Sequence, residues 1–88
     1  MRRTLAETTD SEIPAYFALL SRGLSVYREP SAVTESGMCW VAEADGRQFA
    51  AEDPLSLLGL VAMHEARGAS WRATNEEAER FLAAFGDA

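Results

Sequence analysis

The stretch Asp53 to Gly68 leaves the rest of the chain the least freedom. It is the longest apolar segment and carries both a start and a stop signal. Pro54 suits a first helical position, where its missing N–H has no intrahelical partner to lose. Asp53 before it can accept from the free N–H groups of the first turn, and its charge suits the positive end of the helix dipole. Arg67 and Gly68 form the matching exit, a cation in the last turn followed by a residue free to turn left-handed. The spacing therefore predicts a helix of about four turns. Stepping 100° per residue puts Leu55, Leu57, Leu58, Val61 and Ala62 on one broad face. Leu60 and Met63 fall outside it, so this helix is apolar nearly all round. Such a helix needs cover on several sides, from its own chain or from another molecule. Gly59 in mid-helix costs about 1 kcal/mol relative to Ala, and the expected reason is close approach of a strand or helix.

Eighty-eight residues make one domain, here residues 11–88, with a modest core to hold it together. Residues 1–10 are polar and mixed and read as a flexible N-terminal tail, with Leu5 able to anchor it. Residues 11–22 read as a helix capped by Ser11, with Pro14 still in the first turn. Its apolar face is Ile13, Tyr16, Phe17 and Leu20, while Ala15, Ala18 and Arg22 look outward, and Gly23 stops it. Residues 24–28 alternate and read as a short strand. Residues 29–37 are rich in turn formers and read as a loop, with a short extended piece at 32–34.

Asp45-Gly46 lies between two extended runs, Met38 to Ala44 and Arg47 to Ala51. Asp-Gly suits a type I′ turn, which needs positive φ at both central positions, so a hairpin follows. A two-residue turn fixes the register, pairing Ala44 with Arg47, Ala42 with Phe49 and Trp40 with Ala51. Met38, Trp40, Ala42, Phe49 and Ala51 then share the core face. Cys39, Val41, Glu43, Gln48 and Ala50 share a wetter one. Near the C-terminus, Thr74-x-x-Glu77 is a capping box for a last helix with Ala78, Phe81, Leu82 and Phe85 in a narrow apolar stripe. The element order is α-β-β-β-α-α, and the fold class is α+β, a three-stranded antiparallel meander with helices packed on one face.

The chemistry is sparse. Cys39 is alone, which excludes an intrachain disulfide and a multi-cysteine metal site. His64 is the only histidine, and with Glu65 it offers a ligand site or a base for an enzyme that also uses Cys39 or Tyr27. The ordinary explanation of His64 is a boundary residue near a helix C-terminus. The position four after it is Gly68, so His64-Glu65 does not open an H-E-x-x-H zinc motif. No Gly-rich phosphate loop occurs. No catalytic residue, metal or cofactor is expected.

The formal net charge is −6, with eight Arg, no Lys and sixteen Ala. That pattern suggests GC-rich coding and a bacterial source. The charge disfavours nucleic acid and anionic membranes, which call for clustered cations, and leaves basic protein surfaces open as partners. The N-terminus has two arginines but no apolar h-region, and no apolar run is long enough to span a bilayer, so a cytoplasmic location is expected. In element order the α-β-β-β-α portion resembles double-stranded-RNA-binding domains. Those present basic residues at the start of the helix after the sheet. Here that segment is Glu52-Asp53-Pro54-Leu55-Ser56, of opposite charge, so the function is not carried over.

The leading expectation is a small acidic, non-enzymatic protein-interaction or regulatory domain. Its partner is another protein or itself, as a homodimer, bound through Leu60, Met63 and Trp71. One alternative is a small-ligand-binding protein or enzyme using His64 and Glu65. Another is an acidic nucleic-acid mimic that binds a basic protein, presenting Glu29, Glu35, Glu43, Glu52 and Asp53.

Overall fold

A computed structural model describes Leu5 and residues 10–86. The expected tail at residues 1–10 lies outside the described residues except for Leu5 and Asp10, and Leu5 is exposed rather than anchored. In chain order the elements are α1 (Glu12–Ser21), β1 (Ser25–Pro30), β2 (Met38–Ala44), β3 (Arg47–Ala51), α2 (Pro54–Arg67) and α3 (Asn75–Phe85). A single 3-10 turn, Gly68–Ser70, joins the last two helices. The sheet is an antiparallel meander in the order β1-β2-β3.

The hairpin forms as its turn chemistry dictates. Asp45 has φ 52° and Gly46 φ 79°, both positive as a type I′ turn requires. The register follows, with Ala44 opposite Arg47, Ala42 opposite Phe49 and Trp40 opposite Ala51. β1 continues to Pro30, which an edge strand tolerates because its outward N–H is not needed in the ladder. The loop after it closes on itself, with the Ser31 N–H donating to the Gly37 carbonyl at 2.9 Å. Residues 32–34 are bent rather than extended.

α2 packs against α1 and against β3 and β2, and α1 itself touches β1. Asp53 caps it as expected, its carboxylate accepting from the Ser56 N–H at 2.7 Å. At the other end Gly68 has φ 76° and ψ −158°. That is not the left-handed helical region expected from sequence, but an extended positive-φ region open essentially only to glycine. The fully buried core is Leu19, Ala42, Leu57 and Val61, with Leu24, Val26, Trp40, Phe49, Ala51 and Leu58 packed around it.

Two faces differ from the sequence reading. α1 is turned so that Ala15 and Leu19 enter the core, while Ile13, Phe17 and Leu20 are exposed. Residues 15–20 are apolar without a break, so periodicity alone gives α1 no unique inner face. Ala15 lets α1 approach closely where Phe17 would not fit, and packing selects that side. On the outer sheet face, Val41 and Cys39 are buried rather than wet. Val41 lies on the central strand between Tyr27 and Ala50 of its neighbours. Cys39 lines a shallow hollow with Thr34 of the closed loop and Ala50 and Ala51 of β3.

Candidate functional site

α3 begins where its sequence says. The Glu77 N–H donates to the Thr74 hydroxyl at 3.1 Å, and the Thr74 N–H donates to the Glu77 carboxylate at 3.0 Å, closing the capping box. Glu77 also pairs with Arg67 at the end of α2, at 2.5 Å. The Arg67 hydrogen bond, reinforced by the Thr74 N–H, lowers the Glu77 carboxyl from the usual 4.5 to about 2. The same bond raises the Arg67 guanidinium above its ordinary value.

Beyond this anchor, no other element packs broadly against α3 among the described residues. Phe81, Leu82 and Phe85 are 62%, 60% and 65% exposed, and they lie on one side of the helix. The Phe81 and Phe85 rings stand 5.2 Å apart and form one knob. An open apolar stripe of this kind is not what a monomer of this size leaves to water without use.

A second open apolar area lies at the far end of the domain. The turned α1 leaves Ile13 66% and Phe17 60% exposed. With Tyr16, Val26, Trp40 and Pro54 they line a shallow groove that has Glu12 and Arg28 beside it. Its aromatic lining is ordered by contact. Tyr16 meets Phe17 edge-on at 5.0 Å and Trp40 edge-on at 6.2 Å, and the Arg28 guanidinium sits 5.4 Å from the Trp40 ring centre. Aromatic rings held in a concave surface, with an Arg alongside, are the residue types that dominate protein interfaces.

The residues expected from sequence to bind a partner are placed differently from one another. Leu60 and Trp71 share a shallow concavity with Phe49 and His64, and Arg72 lies 4.8 Å from the Trp71 ring centre. Met63 stands apart from them and is exposed, as is Leu55, which the periodicity put on the inner face. α3 does not cover Met63. Gly59 has no close neighbour to explain it, since a Cβ built there meets nothing within 4 Å.

His64 and Glu65 line a polar concavity between the end of α2 and the Asp45–Gly46 turn, together with Arg22, Asp45 and Arg47. Glu65 is committed to an ion pair with Arg22 at 2.5 Å. The His64 ring stands edge-on to Phe49 at 5.3 Å, and no hydrogen-bond partner orients it among the described residues. Cys39 and Tyr27 belong to the opposite, outer face of the sheet. There the Gln48 side-chain amide donates to the Tyr27 hydroxyl at 3.1 Å and to Glu43 at 2.9 Å. Burial, with Glu43 and Glu29 nearby, pushes the Tyr27 phenol up. The sheet thus separates the side chains that nucleophilic chemistry would need to bring together. Among the described residues no group of three or more His, Cys, Asp and Glu is placed to hold a metal ion. Among the described residues, no helix is long and apolar enough to cross a membrane. Of the acids that mimicry would need, Asp53 is used as a cap and Glu43 receives Gln48.

The apolar stripe of α3 is legible in the sequence, but its standing clear of the domain is not. The open face of α1 was missed because the same residues read as core. No protein-family model, curated protein or solved structure matches the chain.

Proposed function

We propose that this chain is a non-enzymatic protein-interaction domain that works through the apolar faces of α3 and α1. The observation that carries this reading is Phe81, Leu82 and Phe85 standing in water on a helix whose start is fixed by a capping box and an ion pair. A sequence that specifies where a helix begins, and then gives it an apolar stripe with nothing of its own to cover, specifies a docking element. The size of the core points the same way. The buried apolar residues among those described, Ala15, Leu19, Cys39, Val41, Ala42, Leu57 and Val61, are few and partly small for a domain that leaves Ile13, Phe17, Phe81, Leu82 and Phe85 open, and small domains commonly make up the deficit by association. The net charge of −6 supports a protein partner over nucleic acid.

The test is affinity capture from the native host with mass spectrometry, run beside light scattering on the purified chain. Phe17→Glu and the double change Phe81→Glu, Phe85→Glu are compared with the unaltered chain. Loss of a bound protein, or of self-association, in either variant supports the reading. A chain that stays monomeric and captures nothing, or variants that bind as the unaltered chain does, would sink it.

A further inference from the structure

We infer that the partner is a second copy of this chain, and that the two copies exchange their last helices. α3 of each seats Phe81, Leu82 and Phe85 in the Ile13–Phe17–Trp40 groove of the other. The inference rests on the interaction reading above and names its partner and geometry.

Three observations carry it. First, the shapes correspond: the Phe81–Phe85 pair is a convex aromatic knob, and the groove is a concave aromatic surface at Tyr16, Phe17 and Trp40. An amphipathic helix laid in an apolar groove, with anchors at i and i+4, is a recurrent mode of recognition.

Second, the two surfaces are kept apart within one chain. The groove reaches Pro54 at the start of α2, whereas Arg67 at its end holds the first turn of α3 through Glu77. At 1.5 Å per residue these ends are about 20 Å apart. The stripe therefore faces another molecule rather than its own groove.

Third, the area suffices. Ile13, Phe17, Phe81, Leu82 and Phe85 expose roughly 700 Å² of side chain in one copy, and a two-fold exchange covers both sets, about 1,400 Å², within the usual range for stable interfaces.

A two-fold axis closes such an exchange with no site left open to propagate a fibre.

Exchange makes a prediction that no symmetric pairing of like faces makes. Phe17→Glu spoils the groove and leaves α3 intact, whereas Phe81→Glu with Phe85→Glu spoils α3 and leaves the groove intact. By light scattering after size exclusion and by sedimentation, the unaltered chain should run at twice its 9.6 kDa mass. Each variant alone should dissociate about 100-fold more readily, as removal of an aromatic anchor does. Mixed in equal amounts, the two variants should associate more tightly than either does alone, because one sound helix then meets one sound groove while the other contact stays spoiled. Circular dichroism confirms that each is folded, and Ile13→Ser and Leu82→Ser, milder changes at open positions, replace any that is not. Variants that remain dimeric, or a mixture that associates no more tightly than either variant alone, overturn the exchange. An unaltered chain that is monomeric at its highest soluble concentration overturns it too. That last result leaves the interaction reading standing if the same substitutions abolish capture of a foreign protein.

Discussion

Leu19 and Phe17 are two residues apart on α1 and have opposite fates. Leu19 is fully buried with Leu57 and Val61, and Phe17 is open to water. Leu19→Ala should cost about 2–5 kcal/mol, a large part of the roughly 4–13 kcal/mol expected for a domain of this length. Phe17→Ser should change the stability of the dissociated chain by no more than about 0.5 kcal/mol. Urea unfolding of the two variants at low concentration measures both. Equal destabilisation would mean that α1 buries the face its periodicity suggests. Gly59 gives a second contrast. Its φ lies outside the positive region and its Cβ direction is empty, so helix propensity alone governs it. Gly59→Ala should stabilise the domain by about 1 kcal/mol, seen as a rise in the urea midpoint. Gly68, at φ 76° and ψ −158°, is the opposite case and should not tolerate the same change.

Among the elements, α3 is the least supported. Eleven residues are marginal as an isolated helix, so its order depends on its cap and on whatever covers its stripe. Its amides should exchange quickly in the dissociated Phe17→Glu variant and slowly in the unaltered dimer, a difference that hydrogen exchange with mass spectrometry resolves. The Arg67–Glu77 anchor adds a pH dependence. Glu77 titrates lower in the folded chain than in the unfolded one, so its contribution is complete above pH 4.5 and is lost as the pH falls through about 2. Far-UV circular dichroism should show helix loss across that window, and Glu77→Gln should remove the part due to this carboxylate. If the two titrations coincide, the anchor does not hold α3. Thr74 and Glu77 made the start of α3 legible because a capping box is local chemistry. The stripe's lack of cover was not legible, because whether a helix is covered depends on where the chain puts it.

Across the whole molecule, charge and apolar surface oppose each other. Each copy carries −6, so two copies repel at long range while their apolar faces attract at contact. Raising salt from about 0.05 to 0.5 M shortens the screening length from roughly 14 to 4 Å, and self-association should tighten several-fold. Sedimentation equilibrium across that range measures it. Docking onto a basic partner would weaken instead, so the sign of the salt effect separates the two. What the sequence determined by itself was everything fixed by near neighbours. Asp45-Gly46 set the hairpin and its register, Asp53-Pro54 and Thr74-Glu77 set the helix starts, and the order of elements followed. Tertiary structure alone decided which side of α1 is buried and whether α3 is covered. An unbroken apolar run satisfies more than one helical face equally well, and only packing against α2 and β1 selects Ala15 and Leu19 over Phe17.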